Sequence, residues 1–175
     1  MSEQEKELDS EVRTEGNTIF FFCDVTNENV RDLCTSLKKA SMLNDTLRVC
    51  IQSDGGDVHA GFAALDYMRS LRIHIETHVC GMCASAATFI LLGGTTRVMG
   101  QNSYVLIHQI RSELWGTHED LKDEMKTNEK IMKHLKKLYL NGTEIPEDRL
   151  DKLFKKDITL SARKCLKYKI VTSVI

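Results

Sequence analysis

Residues 73–92 read IHIETHVCGMCASAATFILL. The first eight residues are rich in strand formers, and the last four form an apolar run that favours a helix. The glycine and small residues between them predict a strand-to-helix turn that exposes the hydroxyl of Ser85. Free N–H groups at a helix start can stabilise an oxyanion beside such a hydroxyl, although small residues at a turn more often serve packing or capping.

Two later segments carry the other residue types that a serine nucleophile needs. Residues 104–110 read YVLIHQI, a predicted strand with His108 near its end, and residues 154–162 read FKKDITLSA, with Asp157 before a predicted helix cap. Alone, such a histidine is more often structural, and such an aspartate is more often a solvated or capping carboxylate. Together, serine, histidine and aspartate make a nucleophile, a base and a group that orients the base.

The rest of the chain alternates predicted strands and helices. Strands are predicted at residues 18–23, 46–52, 73–80, 95–99 and 104–109. Helices are predicted after Thr26 or Asn27 and at residues 58–71, 85–92 and 117–140. Repeated strand–helix–strand units need crossover connections, so the sequence predicts an α/β fold with a largely parallel sheet. The polar residues 1–17 are expected to be a flexible segment before one domain at residues 18–175.

Composition argues against several classes of function. The formal net charge of −1 gives no basic field for nucleic acid or a membrane surface. No apolar run approaches the roughly 20 residues of a membrane span, and the first residues lack the apolar core of a signal peptide. Six cysteines in apolar patterns are typical of buried thiols in a reducing compartment, which predicts a cytoplasmic location. Cys80 and Cys83 form an isolated C-x-x-C, so neither a metal nor a cofactor is expected.

Four segments resemble motifs of the proteolytic subunit of Clp proteases, and they occur in the same order. GMCAS at residues 81–85 resembles the family's GMAAS, and LIHQI at 106–110 resembles MIHQP. KDITLSA at 156–162 resembles RDxxLSA, and SDGGDVHAG at 53–61 resembles SPGGxVxAG. The resemblance extends over residues 18–174. It implies the ClpP and crotonase-like fold, a spiral of β-β-α units whose projecting long helix, the handle, lies at residues 117–140.

The resemblance implies an activity and an assembly. The protein would be a serine endopeptidase of the ATP-dependent Clp type, with Ser85 as nucleophile, His108 as general base and Asp157 orienting the histidine. It would cut unfolded polypeptides inside two stacked heptameric rings, in protein quality control. An AAA+ unfoldase that consumes ATP would deliver these substrates.

The glycine loop would hold both the oxyanion and the substrate. By resemblance, the oxyanion-hole donors are the backbone N–H groups of Gly56 and Ala86. The loop's backbone would pair with the substrate peptide as an added strand, which gives affinity with little sequence preference. The substrate-binding residues implied in this way are Gly55, Gly56, Asp57 and Val58.

Several residues depart from the family pattern. Asp54 replaces the loop proline, residues 110–113 replace a proline and glycines after the histidine, and Lys156 replaces the arginine beside the aspartate. Lysine keeps the charge of that arginine but not its bidentate geometry. Arg48 and Cys50 stand where the family would place aromatic residues of the unfoldase-binding pocket. The contact with an unfoldase is therefore an open question.

Two alternatives to the peptidase stay open. A non-proteolytic ring subunit would keep the fold and the assembly but would not react with active-site probes. A crotonase-type acyl-CoA enzyme would use the two backbone donors to hold a thioester oxygen, and it would not need the Ser-His-Asp set.

Overall fold

The computed structural model describes residues 11–113 and 115–175. Within these ranges, eight strands and six helices follow one another along the chain. Their bounds are β1 Val12–Glu15, β2 Thr18–Phe21, α1 Asn27–Ser41, β3 Thr46–Ser53, α2 Val58–Ser70, β4 His74–Ala84, α3 Ala87–Gly93, β5 Thr96–Met99, β6 Tyr104–Leu106, α4 His118–Gly142, α5 Glu147–Lys155, β7 Thr159–Ser161, α6 Ala162–Lys167 and β8 Ser173–Val174.

The strands form one sheet that is parallel at its centre. Its order is β1-β2-β3-β4-β5-β8, with β6 beside β4 and β7 beside β6. β4 is parallel to β3, β5 and β6, whereas the β1–β2 and β6–β7 pairs are antiparallel. The predicted α/β fold with a largely parallel sheet is therefore confirmed.

β4 positions the candidate nucleophile because its first part pairs with β5 and its last residues pair with β6. Along its first half, Ile75, Thr77 and Val79 are buried and the residues between them face outward. At Gly81 the backbone takes a positive φ of 91°, and the register with β3 shifts between Ile51 and Ser53. The last residues of β4 then pair with β6, which brings Ser85, just after β4, beside the end of β6.

The N-terminal segment is more regular than the sequence predicts. Residues 1–10 of the segment expected to be flexible lie outside the described residues. Val12–Glu15, in the same segment, forms an edge strand antiparallel to β2. Val12 is 5% exposed and belongs to the hydrophobic core, and this burial explains why so polar a segment is ordered there.

The long helix predicted at residues 117–140 is present as α4. It begins with a capping box, in which Thr117 and Asp120 each accept a hydrogen bond from the other's backbone N–H. Its buried residues are all in the C-terminal half, and Met125 in the other half is 56% exposed. The first half of α4 therefore carries apolar surface that the described part of this chain does not cover. Among the described residues, no helix is long and apolar enough to cross a membrane.

Candidate functional site

Ser85 occupies a strained turn between β4 and α3. Its φ is 54°, a left-handed conformation that a residue with a side chain rarely adopts. The turn is held from both sides, since the Ser85 N–H donates to the Leu106 carbonyl at 2.9 Å. The Ser85 carbonyl accepts hydrogen bonds from the N–H of Thr88 at 3.0 Å and from its hydroxyl at 2.5 Å. The fold thus fixes the backbone of the candidate nucleophile.

Gly55 approaches this turn, and Gly56 approaches Val25, so closely that only glycine fits at either position. A Cβ on Gly55 would lie 2.5 Å from the Cβ of Ser85 and 2.8 Å from the Ala84 carbonyl oxygen. A Cβ on Gly56 would lie 2.4 Å from the Val25 carbonyl oxygen, and both glycines have positive φ, 101° and 145°. Val25 holds the loop, because its N–H donates to Gly55 and its carbonyl accepts from Asp57, both at 2.7 Å.

The predicted loop residues differ in which backbone groups are free. Gly55 donates its N–H to the Ser53 hydroxyl at 3.2 Å, and the Asp57 carboxylate caps α2 by accepting from the Ala60 N–H at 2.6 Å. In the described ranges, the N–H groups of Gly56 and Ala86 have no hydrogen-bond partner. These two are the groups predicted as oxyanion donors.

Ser85, His108 and Gly56 line one cavity of about 230 Å³. Val58 lines it too, whereas Gly55, Asp57, Ala86 and Asp157 are not among its lining residues. The apolar lining residues include Phe89, Leu135 and Tyr139. The polar lining residues include Asp54, Gln109 and Arg111. The cavity therefore brings together the predicted nucleophile, the predicted base and one predicted oxyanion donor.

The imidazole of His108 is oriented by its own loop. Its Nδ1 lies 2.5 Å from the Gln109 carbonyl oxygen, which can only accept, so Nδ1 carries the proton and Nε2 is left free to act as a base. The Gln109 N–H in turn donates to the Phe154 carbonyl at 3.1 Å, which ties this loop to α5. Among the described residues, no hydrogen bond joins His108 to Ser85 or to Asp157.

Asp157 is engaged by another residue. Its Oδ2 accepts a hydrogen bond from the Arg111 guanidinium, and the two side chains are 55% and 69% exposed. Arg111 lines the cavity, so this ion pair lies at its edge. The sequence did not identify Arg111 as a site residue. Arg111 stood out only as one of the residues that depart from the family pattern after His108.

The whole-chain comparison decides the family: residues 3–175 match the Clp protease family. This chain belongs to the Clp protease family. It is 30% identical over 131 residues to the ATP-dependent Clp protease proteolytic subunit of Deinococcus radiodurans, which covers 74% of this chain and 64% of that protein. It is 28% identical over 187 residues to proteolytic subunit 2 of Treponema pallidum, covering 98% of this chain and 92% of that protein.

The fold comparison agrees with the family assignment. A ClpP1 mutant from Listeria monocytogenes superposes with a TM-score of 0.83, at 21% identity, over 91% of both chains. The predicted ClpP fold and the resemblance to Clp proteolytic subunits are therefore confirmed. The chain spans just under two thirds of the length of the Deinococcus radiodurans relative. The roles of Ser85, His108 and Asp157 stay predictions.

In this Clp family member, a buried hydrogen-bond chain links α4 to the nucleophile turn. The Thr88 hydroxyl donates to the Ser85 carbonyl, so the Tyr139 hydroxyl donates to Thr88 across 2.6 Å. Tyr139 is 3% exposed, and burial raises the pKa of its phenol, which keeps it protonated as a donor. Sequence patterns placed Tyr139 only in an apolar stripe, since periodicity does not reveal a partner 51 residues away.

Proposed function

We propose that this protein is a Clp-type serine endopeptidase. One observation carries the proposal: Ser85, on a strained turn, shares a cavity with His108 and with the unbonded N–H of Gly56. The Ser85 oxygen would attack a peptide carbonyl carbon while His108 Nε2 takes the hydroxyl proton. The N–H groups of Gly56 and Ala86 would hold the resulting oxyanion, and losing one such donor typically costs about 10²–10³ in rate.

The second half of the reaction returns the proton. His108 would donate it to the leaving amine as the C–N bond breaks, which leaves an acyl ester on Ser85. Water, deprotonated by His108, would then attack the ester carbonyl, and His108 would return the proton to the Ser85 oxygen as the ester C–O bond breaks and the product acid leaves. For Asp157 to stabilise the imidazolium in these steps, it has to exchange its Arg111 partner for the histidine.

A ring assembly would supply what the single chain lacks. The first half of α4 has no buried residue, and Trp115 just before it is 97% exposed. Pairing this half of α4 with the same helix of a second ring would cover that apolar surface.

An unfoldase is the expected source of unfolded polypeptide. Arg48, at the position of the family's unfoldase-binding pocket, is half exposed and paired with Glu76. This surface is therefore more charged than an aromatic pocket would be. A cytoplasmic location remains a prediction.

Covalent labelling tests the proposed nucleophile. The purified full chain is treated with a fluorophosphonate and weighed intact by mass spectrometry, alongside Ser85→Ala and the exposed-serine control Ser70→Ala. We expect one adduct per chain in the wild type and in Ser70→Ala, and none in Ser85→Ala. An adduct that persists in Ser85→Ala would overturn the assignment of the nucleophile.

A non-proteolytic ring subunit is the second candidate, and the Arg111–Asp157 ion pair favours it. With Asp157 held by Arg111, the proposed triad lacks its third member. Native mass spectrometry of the labelled sample separates the two candidates. Complete rings without any adduct would support the non-proteolytic subunit, whereas labelled rings would support the peptidase. Unlabelled monomers would show that assembly has failed in the sample.

A further inference from the structure

The outer face of the central sheet carries three metal-binding side chains. Cys50 on β3 is in register with His78 on β4, and Cys80 follows two residues later on the same face. Their ligand atoms all lie within 4.8 Å of one another. In a tetrahedral zinc site with Zn–S about 2.3 Å and Zn–N about 2.0 Å, ligand atoms are roughly 3.3–3.8 Å apart. Small side-chain rotations would therefore close the cluster around an ion.

Zinc binding would change the protonation state of the cluster. Cys50 donates a hydrogen bond to Cys80, and this bond is the main cause that lowers the pKa of the Cys80 thiol to about 7 and raises the pKa of the Cys50 thiol. Burial, and then the charge of Arg48, lower the pKa of His78. A thiolate and a neutral imidazole are the forms that coordinate zinc. Cys50 is a neutral thiol in the free protein, so its proton would leave only as the ion binds.

The surroundings of the cluster also fit a thiophilic cation. Arg48 would repel a cation, but its guanidinium is paired with Glu76 at 2.7 Å, which offsets the charge. Phe20 is in register with Cys50 on one side, and Val98 is in register with His78 on the other. Two thiolates would balance the charge of a divalent ion, so the half-buried complex would be neutral.

We propose that Cys50, His78 and Cys80 bind one Zn²⁺ ion, with water as the fourth ligand. Binding would release up to two thiol protons to solvent, and His78 would donate a lone pair. The ion would join β3 to β4 on the face opposite the core, apart from the Ser85 cavity. The sequence reading considered only Cys80 with Cys83. Cys83 is fully buried, however, and the relevant partner lies on another strand.

Metal titration of the reduced full-length protein tests the proposal. Zn²⁺ is titrated against a chromophoric chelator, and Co²⁺ is used as a spectroscopic probe of sulfur ligation and tetrahedral geometry. We expect one ion per chain and a sulfur-to-cobalt charge-transfer band. In Cys80→Ser and His78→Gln, the affinity should fall by at least about 10–100-fold, the loss typical even of weaker changes around a metal. The experiment does not depend on peptidase activity.

Cys34→Ser is the matched control, since Cys34 is also a half-buried free thiol but lies on α1, outside the cluster. It should bind zinc like the wild type. Circular dichroism of each variant checks that the fold is kept. Equal zinc affinity in Cys80→Ser, or fewer than about half an ion per wild-type chain, would overturn the proposal. So would a Cys50–Cys80 disulfide in protein that binds no zinc once reduced.

Discussion

The two halves of the candidate site are built in different ways. The Ser85 half is made of backbone: a strained turn whose Ser85 N–H donates to the Leu106 carbonyl, Gly55 in close contact with that turn, and hydrogen bonds that tie the Gly55–Asp57 loop to Val25. The other half is made of exposed side chains, with Asp157 bound to Arg111. An exposed ion pair is worth about 1 kcal/mol or less, whereas the buried backbone contacts cannot move singly. The nucleophile half is therefore preformed, and the aspartate half can switch partners at small energetic cost.

Asp157→Asn probes the exposed half and has the largest expected effect. If Asp157 joins His108 during catalysis, the amide should lower kcat by up to about 10⁴, because it favours the wrong imidazole tautomer. Peptide hydrolysis at substrate saturation measures this. Asp66→Asn, an exposed aspartate on α2, is the control and should leave kcat unchanged.

The result also decides what orients the imidazole. The Gln109 carbonyl already holds His108 Nδ1 in the single chain. A loss of less than about tenfold in Asp157→Asn would show that this carbonyl is sufficient and that the carboxylate plays no part in orienting the base.

Gly55→Ala probes the preformed half. The new Cβ would meet Ser85 at 2.5 Å at a φ of 101°, so we expect unfolding free energy to fall by about 3 kcal/mol or more. Displacing the oxyanion donor next to it should lower kcat by about 10²–10³ in whatever remains folded. Urea denaturation and hydrolysis rates measure the two effects.

Gly16→Ala separates backbone strain from the close contact. Gly16 also has a positive φ, 61°, but nothing lies within 4 Å of a Cβ placed there. It should cost only about 1–2 kcal/mol and leave the hydrolysis rate unchanged. Equal destabilisation by the two variants would contradict the idea that contact with Ser85 excludes a side chain at residue 55.

The sequence predicted the preformed half far better than the exposed one. Glycines, small residues and a strand–helix pattern are local signals, and they located the Ser85 turn and the Gly55–Gly56 loop. They missed that the strand ends at Leu106, so that His108 and Gln109 form a loop whose carbonyl reaches the imidazole. Such a bond depends on backbone geometry after the strand, which strand propensity does not encode.

The elements missed from the sequence are short or depend on distant partners. β7 and β8 have three and two residues, too few for periodicity to detect, and both pair with strands far away in the chain. α5 is the exception, since it is strongly amphipathic, with Leu150 and Leu153 buried, and its nine residues do carry a helical pattern. The Arg111–Asp157 pair joins residues 46 apart, so only the fold brings them together.

Arg111→Gln has the smallest expected effect, and it tests directly whether the aspartate half of the site can switch partners. If the ion pair withdraws Asp157 from His108, breaking a contact worth about 1 kcal/mol should raise kcat about fivefold. Unfolding free energy should change by less than about 1 kcal/mol, as it should in Arg31→Gln. Arg31 is a fitting control because it is 68% exposed, against 69% for Arg111, and is paired with Glu28 on α1.

High salt should mimic the Arg111 variant, since at about 1 M the Debye length is near 3 Å and an exposed pair is screened. Wild-type kcat should then rise towards that of Arg111→Gln, while the kcat of the variant stays constant.

Arg111 also lines the cavity, where it could bind substrate. The kinetic constants of Arg111→Gln distinguish substrate binding from pairing with Asp157. A higher KM at unchanged kcat would mean that Arg111 holds substrate. A lower kcat would mean that the pairing of Arg111 with Asp157 supports the active arrangement. The aspartate half would then be as preformed as the Ser85 turn.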